Sequence, residues 1–494
     1  MITLYNTLTK TKEELIPRHP SNSSGQGKIQ MFVCGPTVYD YIHIGNARTF
    51  VFFDVVAKYL RSQDYEVDYI QNITDIDDKI IQRARENNHE PLEYAKKYYE
   101  KFKEDIKALG VSSPRYISAT EHINQVVKQV KTLIDKGFAY KIEGDGWYFD
   151  LSKFPEYGKL SGRKAQMADD AVSRIDENEQ KRNRGDFCLW KFSKEGEPSW
   201  NFETGKAVPV FATASAVGST ESAFGQTKSA GRPGWHIEDT AITNHYFGPQ
   251  YDIHGGGQDL MFPHHEAEIA QQESASGLKP FVKYWMHVAF LVNKDEKMSK
   301  SLGNFETVNN LLKKYPKETL RFYLLSGHYR QPLEFSDKIL RQSQAGISRI
   351  SEFVLKLKNV PTSQVGTFKE IDKYLSEAKE KFVQAMDNDF NTPEAFTSIF
   401  EMIKIINPYL AKNKMSKKQV EKVLGFLKET SNITGIIPSE QQKIPAEVLD
   451  LVDKREKLRE EKNYDESDKI RARINDLGYE IEDTIYGSLV VKKL

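Results

Sequence analysis

With 494 residues the chain is too long for one ordinary domain, and its formal net charge of zero excludes a global electrostatic field that attracts nucleic acid. Any RNA-binding face must therefore concentrate its Lys and Arg residues. Two cysteines exclude a disulfide framework and favour a reducing compartment. No leader pattern or membrane-length apolar run is present, so we expect a cytoplasmic protein without membrane contacts.

The first predicted elements form a parallel βαβ unit. Residues 28–34 have the pattern of a buried strand, 46–62 carry apolar residues at helical spacing with Asn46 as predicted N-cap, and 66–73 resemble a second strand. Such units bind ligands at the carboxyl ends of their strands. We therefore expect a binding site in the loop between residue 34 and the helix.

The remaining chain divides by pattern. A helical pattern covers about 90–140, a mixed one 140–200, and residues rich in Ala, Ser, Gly and Thr predict an exposed or mobile loop over most of 201–230. A second α/β portion follows at 235–310 and includes a predicted strand at 286–292.

The C-terminal third has a different character. From about residue 316 onward the pattern is almost entirely helical, and a small charged module at 445–494 closes the chain.

The sequence His43-Ile44-Gly45-Asn46 precedes the first predicted helix. Backbone N–H groups at a helix N-terminus favour an anion, and Gly45 permits close approach of a phosphate. His43 and Asn46 are candidate donors to phosphate oxygens in a transition state. On these four residues alone, an ordinary N-cap beside a solvated histidine is the better interpretation.

A second basic motif, Lys297-Met298-Ser299-Lys300-Ser301, follows the predicted strand 286–292 and precedes Leu-Gly-Asn. Lys297 and Lys300 suit a loop that closes on a polyphosphate and offsets charge on leaving pyrophosphate. A lone basic pentapeptide is usually a surface loop, and Lys414-Met415-Ser416-Lys417 repeats four of its residues in the helical region. Because that copy lacks the preceding strand, we assign it no catalytic function.

Together these motifs resemble the HIGH and KMSKS sequences of class I aminoacyl-tRNA synthetases. The last position of the first motif is Asn46 instead of His, as it also is in members of the cysteinyl-tRNA synthetase family. Further segments resemble the cysteinyl-tRNA synthetase family. They occur in the same order as in that family and cover nearly the whole chain. They are CGPTVYD at 34–40, NITDIDDK at 72–79, GRPGWHIE at 231–238, DIHGGG at 252–257, FPHHE at 262–266 and AMDNDFNTP at 385–393.

The resemblance implies an α/β protein with a Rossmann-type parallel-sheet catalytic domain, an insertion, an all-α domain and a small C-terminal module. The expected bounds are 1–120 for the first catalytic half, 121–230 for a connective insertion that includes low-complexity 201–230, 231–310 for the second catalytic half with the KMSKS loop, 311–440 for a helical tRNA-contacting domain and 445–494 for an anticodon-binding module. We interpret 212–230 as a disordered surface insertion, with a partner-binding element as the alternative.

A metal site is suggested by His264 and Glu268, which lie four apart at the start of a predicted helix and so share one face. Cys34, at a strand end, is a candidate thiolate ligand. Taken singly, a buried small hydrophobe at Cys34 and a surface pair at His264 and Glu268 are the better interpretations. We assign Cys188, within an apolar run, to the core.

The resemblance implies a zinc ion held by two cysteines, a histidine and a glutamate, which also binds the substrate thiolate and so selects against serine without an editing domain. Cys34, His264 and Glu268 match three ligands, and Asp239 replaces the second cysteine. Our hypothesis is that Asp239 ligates a more weakly held zinc. The alternative is that Asp239 turns away and another group or water substitutes.

The same resemblance implies substrate contacts. Thr74 and Trp235 correspond to the cysteine pocket, although both also have ordinary core or capping interpretations. The predicted ATP-binding residues are Gly45, His254, Gly255, Gly256, Gly257, Asp259 and Lys300.

The implied reaction begins with attack of the L-cysteine carboxylate on the α-phosphate of ATP, with Mg²⁺, to give cysteinyl-adenylate and pyrophosphate. The cysteinyl group then passes to the 3′-terminal adenosine of tRNA(Cys). His43, Asn46, Lys297 and Lys300 are the predicted catalytic residues, and a monomer is expected.

RNA contacts are expected from two regions. The helical segment 340–440 resembles the domain that packs along the inside corner of the tRNA, and the tail, whose arginines include Arg455, Arg459, Arg471 and Arg473, resembles the anticodon-reading module. Two rivals stay open. A cysteine ligase that couples cysteine to an amino sugar would not need the tail. A non-catalytic RNA-binding paralogue would not need the KMSKS sequence, although Asp239 favours it.

Overall fold

The computed structural model describes residues 1–20, 25–163, 178–208, 230–293, 296–297, 305–360, 369–412, 415–438, 445–484 and 487–492. Its strands are β1 (Thr3–Asn6), β2 (Thr11–Glu14), β3 (Gly27–Val33), β4 (Tyr65–Ile73), β5 (Arg115–Ser118), β6 (Ala139–Ile142), β7 (Gly146–Phe149), β8 (Phe187–Phe192), β9 (Ser199–Trp200), β10 (Ala207–Val208), β11 (Gly231–Pro233), β12 (Tyr251–Gly257), β13 (Val282–Val288), β14 (Leu291–Asn293), β15 (Glu296–Lys297), β16 (Leu333–Glu334), β17 (Tyr479–Thr484) and β18 (Gly487–Lys492).

The α-helices in these ranges are α1 (Ile44–Ser62), α2 (Asp78–Glu86), α3 (Pro91–Ala108), α4 (Ile123–Asp135), α5 (Ile237–Phe247), α6 (His264–Ser276), α7 (Val308–Lys314), α8 (Lys317–Leu325), α9 (Asp337–Lys358), α10 (Lys369–Asp387), α11 (Thr392–Ala411), α12 (Lys417–Thr434), α13 (Ala446–Glu460) and α14 (Tyr464–Asp476). None of the described helices is both long enough and apolar enough to cross a membrane.

A five-stranded parallel sheet in the order β13-β12-β3-β4-β5 forms the centre of the α/β part. The buried strand β3 lies in its middle, and α1 connects β3 to β4 across one face, where its apolar side chains are fully buried. The predicted βαβ unit and the Rossmann-type fold are thereby confirmed. The carboxyl ends of β3, β4 and β12 meet at one edge of this sheet.

The predicted N-cap of α1 is wrong. The helix begins at Ile44 and is capped by His43, whose Nδ1 accepts the backbone N–H of Asn46 at 3.3 Å. An N-cap side chain ordinarily accepts from the second or third helical residue, so the imidazole performs the role that was assigned to the asparagine. The motif and the helix start therefore coincide.

The predicted strand 286–292 is also wrong in its bounds. β13 begins at Val282 and ends at Val288, and the chain then leaves the parallel sheet to form β14 in a separate sheet of order β15-β14-β16. The break occurs where the Ala289 N–H donates to the carbonyl of Tyr329 at 2.8 Å. This distant partner has no signature in the local apolar pattern.

The segment predicted as helical over 90–140 contains the strand β5 at its centre. β5 has only four residues and completes the parallel sheet beside β4. A strand of this length is too short to show a period of two against the helical pattern of its neighbours α3 and α4.

The insertion is built on a six-stranded antiparallel sheet of order β10-β9-β11-β8-β7-β6. Of the predicted loop 201–230, residues 209–229 lie outside the described residues. Of the described part, residues 201–206 form a mostly exposed turn, as predicted, and Ala207–Val208 form β10 of this sheet. Within the turn only Phe202 is buried, with its ring centroid 5.3 Å from that of Trp190. β11, which we placed in the second catalytic half, also pairs within the insertion.

The helical character predicted from residue 316 is confirmed by α8 to α12, and the tail adds two helices and the β17–β18 hairpin. In the second KMSK copy, Met415 is buried and Ser416 caps α12 through a reciprocal capping box with Gln419. This is the structural role expected for a copy without catalytic function.

A buried ion pair joins α1 to the helical region. Arg321 of α8 donates to Asp54 Oδ2 at 3.0 Å and, through Nε, to the carbonyl of Thr434 at 2.7 Å. Burial by itself would raise the pKa of Asp54, but the charges of Arg321 and Lys58 outweigh it and hold that pKa below its usual value. The pair therefore links the first helix of the catalytic part to the end of α12.

Replacing Asp54 with Asn is expected to lower the free energy of unfolding by about 3 kcal/mol or more, because it leaves a buried guanidinium without its counter-charge. Denaturant unfolding followed by circular dichroism measures the loss. The matched control is Asp68→Asn, whose partners Lys28 and Arg115 are partly exposed, with an expected loss below about 1 kcal/mol. Equal losses in the two variants would contradict the buried character of the Asp54 pair.

Candidate active site and metal centre

Four predicted metal ligands converge at the carboxyl edge of the parallel sheet. Cys34 directly follows β3, Asp239 lies in the first turn of α5, and His264 and Glu268 share one face at the start of α6. His264 Nε2 is 2.8 Å from Glu268 Oε1 and 3.0 Å from Asp239 Oδ2. Cys34 Sγ is 3.7 Å from both carboxylates. All four side chains are buried.

This donor set fits a zinc ion. Donor atoms about 2.0 to 2.3 Å from one tetrahedral zinc lie roughly 3.3 to 3.8 Å from one another, close to the distances between Cys34 and the two carboxylates. Asp239 Oδ1 is buried without a hydrogen-bond partner among the described residues, and Glu268 Oε2 is buried with His254 Nε2 3.3 Å away. A thiol and two carboxylates packed together repel one another when ionised, and a divalent cation offsets that repulsion.

Burial and the neighbouring charges perturb the titration of this cluster. Burial raises the pKa of Glu268 to about 7 against the opposing effect of His264, and burial with the two carboxylates raises the pKa of the Cys34 thiol. Burial lowers the pKa of His264, but Glu268 and Asp239 outweigh it and raise the value to about 10. The protons held at these sites are the ones that a metal ion displaces.

His265 is a candidate ligand that the sequence interpretation missed. Its Nε2 lies 3.2 Å from Cys34 Sγ, and the donor atoms of Cys34, His264, His265 and Glu268 all lie within 4.8 Å of one another. The imidazole is oriented by His287, whose Nε2 is 2.8 Å from His265 Nδ1. Adjacent helical residues point about 100° apart, so spacing gave no signal for both histidines at one site.

His254, predicted to contact ATP, is fully buried beside the same cluster. Its Nε2 lies 3.3 Å from both Cys34 Sγ and Glu268 Oε2, and its ring stacks on Trp285 at 4.3 Å. Nδ1 is 2.6 Å from the hydroxyl of Tyr251. An ATP contact of His254 stays a prediction, which the burial of the side chain restricts to the backbone.

The three glycines after His254 belong to the end of β12. A Cβ at Gly255 would lie 2.1 Å from Phe53 of α1, and one at Gly256 would lie 2.8 Å from the ring of His265. These glycines therefore let the strand pack against α1 and against the candidate ligand His265. Gly257 and the exposed Asp259 stand at the carboxyl edge of the sheet, and their ATP contacts stay predictions.

The HIGN motif lies at the same edge, at the N-terminus of α1. His43, Gly45 and Asn46 are each half-buried, and a Cβ at Gly45 would lie 2.9 Å from the His43 ring. Lys297 pairs through its backbone with Val292 of β14. The side chain of Lys297, and all of Lys300, lie outside the described residues.

The predicted cysteine pocket has one buried and one exposed member. Thr74 is buried, and its hydroxyl donates to Glu238 Oε1 at 3.2 Å. Trp235 is 41 % exposed, so the core interpretation of this residue is wrong. Its ring centroid lies 5.5 Å from that of His264, a candidate metal ligand, and Trp235 lines a cavity of about 110 Å³.

Sequence comparison connects this site to known proteins. Residues 20–219 and 211–345 match the family model described as tRNA synthetases class I (C) catalytic domain, and 381–437 match the DALR domain. The cysteine--tRNA ligases of Carboxydothermus hydrogenoformans and Clostridioides difficile are 43% and 42% identical to this chain, over 98% of each chain in both cases. The chain belongs to the cysteine--tRNA ligase family.

Members of this family are aminoacyl-tRNA synthetases, so the chain is an enzyme of the ligase class, and neither the amino-sugar ligase nor the non-catalytic paralogue is favoured. The fold agrees. Mycobacterium tuberculosis methionyl-tRNA synthetase in complex with methionyl-adenylate aligns with a TM-score of 0.57 at 16% identity, covering 83% of this chain and 90% of that one. The leucyl enzyme of Agrobacterium radiobacter K84 aligns at 0.60 and 11% identity, covering 85% of both chains.

Proposed function

We propose that this site activates L-cysteine with ATP and Mg²⁺ and transfers it to the 3′ end of tRNA(Cys), with one zinc ion selecting the substrate thiol. The observation that supports this most directly is the buried cluster of Cys34, His264 and Glu268 with Asp239, at the sheet edge where α1 presents its N-terminus.

Cys34, Asp239, His264 and Glu268 are the residues that would hold the zinc ion, which would supply a Lewis acid able to lower the pKa of the substrate thiol. Serine is rejected because its hydroxyl is a much poorer zinc ligand at neutral pH. Trp235 and Thr74 are the proposed neighbours of the bound cysteine, and Trp235 is exposed and lines the cavity.

In the first step the cysteine carboxylate attacks the α-phosphate of ATP, and the bond to pyrophosphate breaks. His43 and Asn46 at the N-terminus of α1 are proposed to donate to the phosphate oxygens, where the helix dipole also favours negative charge. Lys297 and Lys300 are proposed to offset the charge that accumulates on pyrophosphate. Positioning and electrostatics, rather than side-chain proton transfer, lower this barrier.

The proposed ATP contacts are made at the sheet edge by Gly45, by the backbone of His254, by Gly255, Gly256, Gly257 and Asp259, and by Lys300. These assignments rest on the position of the glycine strand beside α1.

In the second step a ribose hydroxyl of the 3′-terminal adenosine attacks the cysteinyl carbonyl, and AMP leaves. We propose that the helical region 311–440 and the tail 445–494 hold the tRNA, with 1–120 and 231–310 as the catalytic halves and 121–230 as the insertion. A monomer is the proposed functional unit. The buried Arg455, which is bonded to Asp483 and Ser488, stabilises the tail rather than contacting RNA.

The test is ATP–pyrophosphate exchange with cysteine, with serine as the control, before and after zinc is stripped and restored. We expect exchange with cysteine alone, lost on stripping and regained with zinc. Exchange that is indifferent to zinc would keep the activity and refute the metal assignment. No exchange in zinc-replete protein would refute the proposed function.

A further inference from the structure

Arg48, in the second turn of α1, is a buried cation whose hydrogen-bond partners are backbone carbonyls. The residue is 1% exposed. Nη1 donates to Ala289 O at 2.7 Å and to Phe290 O at 3.0 Å, and Nη2 donates to Gln331 O at 2.8 Å and to His328 O at 3.2 Å. Among the described residues no carboxylate forms an ion pair with this guanidinium, so its charge is buried without a counter-ion.

The four carbonyls belong to two segments that lead into one small sheet. Residues 289–290 join β13 to β14, and residues 328–331 precede β16. β14 pairs on one side with β16 and on the other with β15, which contains Lys297. Arg48 is therefore hydrogen-bonded to the segments that precede β14 and β16. The third strand of this sheet, β15, contains the first lysine of the KMSKS sequence.

The start of α1 holds the chain beyond that sequence. The Ile44 N–H donates to Glu306 O at 2.9 Å, and the Val308 N–H donates to Ile42 O at 3.1 Å. Consequently the first turn of α1 is bonded to residues that follow the KMSKS sequence, and its second turn is bonded, through Arg48, to the strands that precede it. His43 caps this helix end, and Asn46 lies in its first turn.

The guanidinium of Arg48 is better suited to joining two backbone segments than to stabilising the core by packing. Burial lowers the pKa of Arg48 to about 10, so the guanidinium remains charged at neutral pH. A buried charge is a poor source of stability, because apolar side chains of similar volume often serve equally well. A guanidinium, however, presents five donors in a rigid plane, whereas a lysine ammonium presents three from one point. Arg48 uses two nitrogens to form four hydrogen bonds to the two segments, one more than an ammonium has N–H groups.

We propose that Arg48 is a positioning residue for adenylate formation. Its hydrogen bonds fix the strand that contains Lys297 relative to the helix end that contains His43 and Asn46. This proposal rests on the function proposed above for those three residues. Arg48 acts through the backbone of both segments and does not itself contact substrate.

The experiment is rapid-quench measurement of cysteinyl-adenylate formation in the zinc-loaded full-length protein, comparing wild type with Arg48→Met and Arg48→Lys. We expect the burst rate of Arg48→Met to fall roughly a hundredfold, the cost of about 1 Å of misplacement at a reacting centre. Arg48→Lys should lie between the two. The burst amplitude per zinc-loaded chain and the KM for cysteine should stay unchanged, because the metal cluster is not displaced.

Arg321→Lys is the matched control. Arg321 is equally buried and also bonds to α1, through Asp54, but its other described bonds go to Leu109 and Thr434 rather than to 289–290 or 328–331. It should lower the midpoint of thermal unfolding while keeping the wild-type burst rate.

A smaller burst amplitude in the Arg48 variants, with a wild-type rate in the remaining active sites, would overturn the proposal and leave Arg48 a purely structural residue. If Arg48→Met does not fold, the rate of Arg48→Lys decides in the same way. Absence of any burst in the wild type would instead refute the proposed function, so the two failures are distinguishable.

Discussion

Replacing Cys34 with Ser is expected to remove most of the bound zinc and to lower cysteine-dependent pyrophosphate exchange about a thousandfold. The thiolate is the softest donor in the cluster, and a hydroxyl in its place is a poor zinc ligand at neutral pH. Loss of a Lewis-acid contact worth about 4 kcal/mol corresponds to roughly three orders of magnitude in rate. Zinc per chain is measured by plasma mass spectrometry, separately from activity.

Cys188→Ser is the matched control, because Cys188 is the other cysteine of the chain and is buried within β8, in a separate apolar cluster. Its zinc content is expected to equal that of the wild type. Full zinc occupancy in Cys34→Ser would show that this thiol is not a ligand, whatever the activity of the variant.

The fourth ligand is decided by a pair of variants, Asp239→Ala and His265→Ala. If Asp239 ligates zinc, its loss should weaken zinc binding in a chelator competition by at least about tenfold, a cost typical even of residues that only support a ligand. Asp239→Cys should then tighten binding, since sulfur is the softer donor. A large effect of His265→Ala with none from Asp239→Ala would assign the position to His265 instead.

Replacing Lys300 with Ala is expected to lower the rate of adenylate formation between about a hundredfold and a thousandfold, the usual cost of removing one donor to transition-state charge. The KM for cysteine should change little, because the lysine acts on the phosphates and the zinc cluster selects the amino acid. Steady-state exchange at varied cysteine and ATP concentrations separates the two constants.

The chain supplies its own control in the second KMSK copy. Lys417 corresponds to Lys300 in that copy, is exposed, and stands at the start of α12. Lys417→Ala should exchange at the wild-type rate. A comparable loss in both variants would mean that the effect comes from general charge and not from the position of Lys300.

Local patterns determined much of the fold. Strand-like patterns predicted β3 and β4, and helical spacing predicted α1, because the period of side-chain burial is set by backbone geometry within each element. They failed at β5, which is too short for a period, and at the boundary of β13. At that boundary the backbone of Ala289 is hydrogen-bonded to Tyr329, which lies 40 residues further along the chain.

Part of the site was likewise accessible from the sequence. The spacing of His264 and Glu268 placed both on one helical face, and the strand end placed Cys34 at the ligand-binding edge of the sheet. The structure brings these three together with Asp239, as the resemblance to the synthetase family implied. Zinc ligation by any of them stays a prediction.

By itself, therefore, the sequence determined the first βαβ unit, the helical C-terminal region, the motifs and the family. Only the tertiary structure revealed that His265 and His254 lie close to Cys34, and that Arg48 is hydrogen-bonded to two distant segments. The physical reason is that spacing along one element specifies which side chains share a face of that element. Which faces then meet across more than 200 residues depends on packing between elements, and that packing leaves no periodic trace in the chain.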